Sequence, residues 1–258
     1  MVRDEGRASV ARPGVTPSHV ATTAVLFDLD DTLFDHWACT RAALASLRGQ
    51  FPALAGVPPE TLEDEHARLL EDLHREVLAG RLTVDEARIE RFGRVLANAG
   101  DPVWRDAAAD AAAAYRGAYL GHWRPLDGAL ELLQALRGRA VTGVVTNNVA
   151  AEQRLKIAAC GFGPLLDAVV ISEEVGVTKP DPRIFRIALE ALGRPAAEAV
   201  MIGDAWQNDV EGARNAGIRP VWFNRFGAAP PDSSVAVVRS LTPTSQVMSV
   251  LFANPESR

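Results

Sequence analysis

Short apolar runs alternate with helical stretches along this chain, and this alternation constrains the fold more than any other feature. Each run ends at polar residues or at glycine, and segments of about ten to fifteen residues with helical periodicity separate the later runs. Strands that alternate with helices form parallel sheets with right-handed crossovers. The pattern predicts an α/β fold with a Rossmann-like parallel sheet, whose strands are Val25–Phe27, Val141–Val145, Ala168–Ile171, Val200–Ile202 and Val221–Phe223.

The long interval after the first run has a different pattern and contains no convincing strand. Apolar residues between Leu62 and Val77 recur at helical spacing, and Thr83–Glu86 is a capping-box sequence that would begin another helix. We therefore expect an all-helical module of about four helices, inserted into the α/β core. The expected domains are a flexible tail (1–22), the core (23–36 and 124–252), a helical cap (37–123) and a C-terminal tail (253–258).

Three carboxylates, Asp28, Asp30 and Asp31, directly follow the first apolar run. Clustered carboxylates repel one another and resist burial, so a fold that keeps them at a strand end commonly binds a divalent cation there. A solvated Asp-rich turn is the alternative interpretation of this run taken alone.

Lysine is rare in this chain, since only Lys156 and Lys179 among 27 basic residues are lysine. An ammonium is a compact point charge, whereas a guanidinium is a wide planar fork. Lys179 lies in the Pro-rich stretch Val177–Pro182, and its retention indicates a site that requires the compact charge. Lys156 lies in the helical segment Ala151–Ala159, where we predict a solvent-facing position.

Four polar segments follow strands of the predicted sheet: Asp28–Thr32, Thr146–Asn148, Lys179 and Gly203–Asp209. In open parallel sheets, ligands bind at the carboxyl ends of the strands. Each segment alone is a weak signal, because Thr146 could simply cap a helix and Gly-Asp is a common turn. Their order along the chain is a much stronger signal for one shared site.

This ordered set resembles the haloacid dehalogenase superfamily of aspartate-nucleophile phosphohydrolases, over roughly residues 24–223. The helical insert is at the position of that family's first cap type, the all-helical C1 cap. The resemblance implies that Asp28 is the nucleophile and Asp30 the general acid/base. It also implies that Thr146 and the backbone N–H of Asn147 contact the phosphoryl group, while Lys179 stabilises its charge.

The resemblance further implies a Mg²⁺ ion bound by Asp28, the carbonyl oxygen of Asp30 and Asp204, with Asp209 as the second acid of the last motif. A positive charge is required because a carboxylate that attacks a phosphate dianion must overcome like-charge repulsion. Separate environments are expected to leave one of Asp28 and Asp30 ionised while the other carries a proton.

Asp30 also favours one reaction within the family, because the dehalogenating members lack an acid two residues after the nucleophile. We expect a Mg²⁺-dependent phosphatase that hydrolyses a small phosphorylated metabolite through an aspartyl-phosphate. A phosphosugar mutase of the same superfamily is the enzymatic alternative. A non-catalytic ligand-binding protein is the other alternative, and it predicts loss of at least one of Asp28, Asp30, Lys179 and Asp204.

Candidate substrate contacts in or near the insert are His36, Trp37, Arg88 and Arg91, for each of which packing or surface exposure is the competing interpretation. All histidines lie in the first half of the chain, so carboxylate chemistry is favoured over histidine chemistry.

The composition limits the partners and the compartment. The net charge of −6 argues against a nucleic-acid or acidic-membrane partner. Residues 1–18 contain no apolar signal segment, and no apolar stretch is long enough to span a bilayer. Cys39 and Cys160 are too few for a disulfide framework and are expected as free buried thiols in a reducing cytoplasm. A monomer and a homodimer are both compatible with the sequence.

Overall fold

The computed structural model describes residues 21–253, apart from the side chain of Leu78. The predicted N-terminal tail therefore lies almost entirely outside the described residues, and so do residues 254–258. Six parallel strands form one sheet, which confirms the predicted α/β class: β1 (Ala24–Phe27), β2 (Val141–Thr146), β3 (Ala168–Ile171), β4 (Ala199–Gly203), β5 (Arg219–Phe223) and β6 (Ala236–Val238). Their order across the sheet is β3–β2–β1–β4–β5–β6.

Strand β1 lies at the centre of the sheet, between β2 and β4. All of its residues are buried, as expected for an apolar run that is covered by helices on both faces. Phe27 is in register with Val144 of β2 and Ile202 of β4. The backbone N–H of Asp28 donates to the Ile202 carbonyl at 3.0 Å, so the ladder continues one residue past the strand. The carboxyl ends of β1, β2 and β4 therefore meet at one edge.

Five helices separate β1 from β2: α1 (His36–Gln50), α2 (Pro52–Ala55), α3 (Pro59–Leu78), α4 (Val84–Asn98) and α5 (Trp104–Gly121). No strand lies among these helices, as predicted. The extra element is the single turn α2, which begins at Pro52 because proline cannot continue α1 but suits a first helical position. The capping box before α4 is confirmed, since Thr83 Oγ1 accepts the Glu86 N–H and the Glu86 carboxylate accepts the Thr83 N–H.

The remaining helices cover the two faces of the sheet: α6 (Ala129–Leu136), α7 (Ala150–Ala159), α8 (Ser172–Val175), α9 (Pro182–Leu192), α10 (Gly212–Asn215) and α11 (Thr244–Leu251). Both ends of helix α9 are capped, because Asp181 accepts the Arg183 N–H at its start and Gly193 adopts a left-handed conformation at its end. Cys39 and Cys160 are free and buried, as predicted. Among residues 21–253, no helix has the length and apolar character needed to cross a bilayer.

Candidate active site

The centre of the site is Lys179, whose ammonium lies between two buried carboxylates at the carboxyl edge of the sheet. Its Nζ donates to Asp28 Oδ1 at 2.5 Å and to Asp209 Oδ1 at 2.6 Å. The Lys179 side chain is only 3% exposed. Burial disfavours its charged form, but Asp209 and Asp28 together raise the pKa of Lys179. A compact cation thus holds the two acids at a fixed separation.

Neighbouring backbone and amide groups fix the position of this triad. The Asn147 side chain accepts the Lys179 N–H at 2.7 Å and donates to the Lys179 carbonyl at 2.9 Å. Asp209 Oδ2 accepts the Ala205 N–H at 2.9 Å, because a π-helical turn over Trp206–Glu211 returns Asp209 to the strand end. Gly203 makes this return possible, since a Cβ there would lie 2.6 Å from the Cβ of Asp209.

An acidic cluster lies beside Lys179, where oxygens of Asp28, Asp204 and Asp209 come within 4.8 Å of one another. Burial raises the pKa of Asp28 to about 7, against the opposing charge of Lys179. Burial and then the charge of Asp28 raise the pKa of Asp204 to about 8. Within residues 21–253, neither Asp28 Oδ2 nor either carboxylate oxygen of Asp204 accepts a hydrogen bond.

These residues fit a divalent cation. Free carboxylate oxygens form the all-oxygen donor set that Mg²⁺ prefers. A cation would neutralise the negative charge of the three acids that the single Lys179 ammonium leaves uncompensated. Both side-chain oxygens of Asp209 are engaged, by Lys179 and by the Ala205 N–H, so the free oxygens of the cluster belong to Asp28 and Asp204.

Asp30 lies in a second, separate group of side chains. Its Oδ1 accepts the Lys156 ammonium at 2.7 Å, and its Oδ2 accepts the Gln153 amide at 3.0 Å. Burial favours the neutral form, but the charge of Lys156 and these hydrogen bonds lower the pKa of Asp30 to about 2. The Gln153 amide also donates to Thr146 Oγ1 at 2.7 Å, which leaves the hydroxyl proton of Thr146 available for a ligand.

The prediction that Lys156 faces solvent is wrong, because its side chain is fully buried. Helix α7 turns the face that carries Gln153 and Lys156 toward Asp30, and the ammonium also lies 5.0 Å from the centroid of the Phe34 ring. Sequence reasoning missed both residues. The spacing of the two residues could have indicated their position, because residues three apart share one helix face. Ile157, an apolar residue on the same face, indicates that this face packs in the core.

The environments of Asp28 and Asp30 differ, as predicted, and Asp28 is the more easily protonated acid. Both residues are buried, but Asp28 shares the Lys179 ammonium almost equally with Asp209, at 2.5 and 2.6 Å. The Lys156 ammonium lies 2.7 Å from Asp30 and 3.7 Å from Glu152, so Asp30 is its nearer partner.

A cavity of about 360 Å³ extends from Asp30 and Asn147 into the helical insert. Three of the candidate substrate contacts line it, namely His36, Arg88 and Arg91. The fourth candidate, Trp37, does not line this cavity; its ring packs at a tilt of 58° against that of Phe226, with 5.4 Å between centroids, at the surface.

His36 lines the same cavity as Asp30. Its distance in sequence from Lys179 therefore did not exclude it from the site. Its Nδ1 is 2.6 Å from the Tyr119 hydroxyl. Burial lowers the pKa of His36, against the opposing charge of Asp30, and this favours a neutral ring.

The other acids near the strand end hold the connections between core and insert. Asp35 accepts hydrogen bonds from Arg124 at 2.8 Å and from Arg225 at 2.9 Å. Asp31 has a left-handed backbone with φ of 58° and accepts the Trp37 N–H at 2.8 Å. These contacts fix the chain where it enters and leaves the insert.

Comparisons with known proteins agree with this architecture. A family model described as haloacid dehalogenase-like hydrolase matches residues 22–217. The pyrimidine 5′-nucleotidase YjjG of Escherichia coli is 41% identical over 109 residues, which are 42% of this chain and 48% of that protein. The chain thus spans about half the length of that relative.

Two further proteins match over most of their length. The glyceraldehyde 3-phosphate phosphatase of Methanopyrus kandleri is 33% identical over 205 residues, which are 78% of this chain and 84% of that protein. The crystal structure of the putative hydrolase YfnB from Bacillus subtilis, bound to magnesium, superposes with a TM-score of 0.67 at 25% identity. That match covers 88% of this chain and 98% of the YfnB chain.

Proposed function

The chain belongs to the haloacid dehalogenase-like hydrolases, and we propose that it is a Mg²⁺-dependent phosphatase of small metabolites that works through an aspartyl-phosphate. The observation that carries this proposal is the buried Asp28 carboxylate. Its Oδ1 is held by Lys179, while its Oδ2 has no hydrogen-bond partner among residues 21–253. A carboxylate held in this way is positioned to attack a phosphorus atom.

In the first step, Asp28 Oδ2 forms a bond to phosphorus while the bond from phosphorus to the ester oxygen breaks. Lys179 neutralises charge on the nucleophile and on the phosphoryl oxygens. The Thr146 hydroxyl, whose oxygen accepts the Gln153 amide, donates its proton to a phosphoryl oxygen. The backbone N–H of Asn147 is the adjacent donor.

Asp30 transfers protons in both steps. It protonates the departing alcohol, and its carboxylate then takes a proton from the water that attacks phosphorus and releases Asp28. Lys156 lowers the pKa of Asp30 and so favours its ionised form. A phosphate dianion beside Asp30 raises the pKa of Asp30 by charge repulsion, so substrate binding is coupled to proton uptake at this carboxyl.

Asp28, Asp204 and the Asp30 carbonyl oxygen would hold Mg²⁺, which when bound neutralises the nucleophile and the phosphoryl oxygens. Asp209 supports this set through Lys179 and Ala205. The free oxygens of Asp28 and Asp204 support the assignment, and so does the magnesium named for the B. subtilis structure.

The decisive test is Asp28→Asn, assayed as phosphate release from p-nitrophenyl phosphate and from a panel of phosphorylated metabolites. We expect turnover to fall at least about a thousandfold, because the amide is a poor nucleophile, with an unchanged melting curve. Acid-quenched wild-type enzyme should contain a phosphorylated Asp28. Retained turnover in the variant would refute the assignment, whereas return of phosphate to a sugar without net release would favour a mutase.

A further inference from the structure

Arg91 on helix α4 is a buried cation without an anionic partner. Its side chain lines the cavity between the insert and the core, yet the residue is only 7% exposed. Its Nε is enclosed and has no hydrogen-bond partner, and the guanidinium forms no ion pair within residues 21–253. The groups that it contacts are the faces of Phe92 and Tyr115, at 5.1 and 5.5 Å from the ring centroids.

The other cations that line the cavity are neutralised by an acid. Arg88 donates to Asp85 at 2.6 Å, Arg116 donates to Glu152 at 3.0 Å, and Lys156 donates to Asp30 at 2.7 Å. Arg91 is therefore the exception along a wall where positive charge is otherwise paired.

The groups that face Arg91 do not supply the missing negative charge. His66 packs against the same two rings, and burial together with the charge of Arg91 keeps its pKa well below the ordinary value, so this histidine is neutral. Glu152 is already engaged by Arg116. Aromatic contacts alone do not replace the water that a guanidinium loses on burial. The planar set of N–H donors on the guanidinium suits a carboxylate or a phosphate.

We propose that Arg91 binds a second anionic group, a carboxylate or a phosphate, on the part of the substrate that leaves with the alcohol oxygen. This inference rests on the proposed phosphatase function and narrows its substrate class. The transferred phosphoryl group lies at the Asp28 end, the leaving group fills the cavity beyond Asp30, and its far anion pairs with Arg91. Phosphomonoesters with a neutral leaving group lack that ion pair and bind weakly.

The test uses pairs of substrates that differ in one anionic group. The carboxylate pair is 3-phosphoglycerate and glyceraldehyde 3-phosphate, and the phosphate pair is fructose 1,6-bisphosphate and fructose 6-phosphate. In at least one pair, we expect the wild-type enzyme to prefer the more anionic member by at least about tenfold in kcat/KM, chiefly through KM. The pair that shows the preference identifies the anion.

Arg91→Gln should reduce that preference to near unity, and Arg91→Lys should retain part of it, because the ammonium keeps the charge but not the fork. The matched control is Arg94→Gln on the same helix, where an exposed Arg94 pairs with Glu90; it should leave the preference unchanged. The ratio between paired substrates cancels a general loss of folded enzyme. Arg91→Lys, the milder change, keeps the test available where Arg91→Gln does not fold.

Three contrary outcomes are distinguishable. Wild-type enzyme that hydrolyses p-nitrophenyl phosphate but shows no preference in either pair overturns this inference and leaves the phosphatase proposal intact. A preference that survives in both Arg91 variants also overturns it. Absence of phosphatase activity on every compound, including p-nitrophenyl phosphate, instead refutes the function on which the inference rests.

Discussion

Lys179 illustrates how one side chain can set the geometry of a site. Its ammonium contacts Asp28 and Asp209 at 2.5 and 2.6 Å, and its backbone is held on both sides by the Asn147 amide. The space between two buried carboxylates suits a single small cation with donors in several directions. A planar guanidinium would have to displace one of the acids to fit.

Lys179→Arg should therefore fail as a conservative change. We expect kcat/KM for p-nitrophenyl phosphate to fall at least about a hundredfold, equivalent to roughly 2.7 kcal/mol of transition-state stabilisation. The matched control is Arg183→Lys, an exposed position on helix α9 that should retain full activity. Equal activity of the two variants would show that the compact charge at position 179 is not required.

Lys156 calls for a different experiment, because it is a buried partner of Asp30 and not a surface residue. Lys156→Met leaves the Asp30 carboxylate without its cation, and we expect the free energy of unfolding at pH 7 to fall by about 2 kcal/mol. Urea denaturation measures this change. Arg154→Met on the exposed face of the same helix should change stability by less than about 1 kcal/mol. A similar small change in both variants would contradict the structural role of Lys156.

The contrast between the two lysines shows which residues can be predicted from sequence. Asp28 and Asp204 stand at strand ends, and Lys179 follows strand β3 beyond the single turn of α8. At the carboxyl edge of the sheet, topology brings such residues together whatever their separation in the chain. Lys156 and Gln153 lie inside a helix, and only the packing direction of that helix decides whether they face Asp30 or water. Arg91 has the same ambiguity, since its burial depends on how helix α4 packs against helices α3 and α5.

At the scale of elements, the turn from β4 into the π-helical segment is the feature that could not be predicted from the sequence. The strands and helix α9 follow from local patterns: apolar runs, the Asp181 cap and the Gly193 terminator. The wide turn over Trp206–Glu211 has no comparable local signature. It is stabilised by tertiary contacts, such as the Asp209 carboxylate with Lys179 and the Trp222 indole N–H with the Asp204 carbonyl.

Gly203→Ala tests this turn. The added Cβ would collide with the Asp209 side chain, which would move away from Lys179, so we expect a stability loss of about 1–3 kcal/mol. We also expect a loss of phosphatase activity larger than the loss of folded protein. Gly49→Ala in helix α1 is the control, because nothing lies near its Cβ; it should be neutral or stabilising by up to about 1 kcal/mol. Normal activity in Gly203→Ala would mean that the turn tolerates a methyl group.

At the scale of the whole molecule, we propose that the fold places the catalytic groups and the groups that select the substrate on different parts of the chain. The sheet edge supplies the acidic cluster and Lys179, whereas the insert encloses the cavity and supplies Arg91. We propose that the insert acts as a cap at 37–123 over a core formed by 23–36 and 124–252. Arg124 and Arg225 both donate hydrogen bonds to Asp35, which directly precedes the insert. These hydrogen bonds connect the start of the insert to the core.

We expect the acidic cluster to make the stability of the whole molecule sensitive to pH and to Mg²⁺. Folding raises the pKa of Asp28 to about 7 and that of Asp204 to about 8, from an ordinary value of 3.8. The folded protein therefore binds more protons than the unfolded chain over this interval. The contribution of these two acids to stability is favourable at low pH and is lost as pH rises through 7 to 8.

Mg²⁺ should reverse that loss, because it replaces the protons on Asp28 and Asp204. We expect the apparent affinity for Mg²⁺ to be at least about tenfold higher at pH 8 than at pH 6, and the rise in melting temperature with Mg²⁺ to grow in parallel. Titration calorimetry and thermal melts at the two pH values measure both effects. Asp204→Asn should weaken binding and flatten the pH dependence, while Asp110→Asn, an exposed acid on helix α5, should preserve it. Equal affinity at pH 6 and pH 8 would show that protons and Mg²⁺ do not compete for this cluster, and the cation would then have to bind elsewhere.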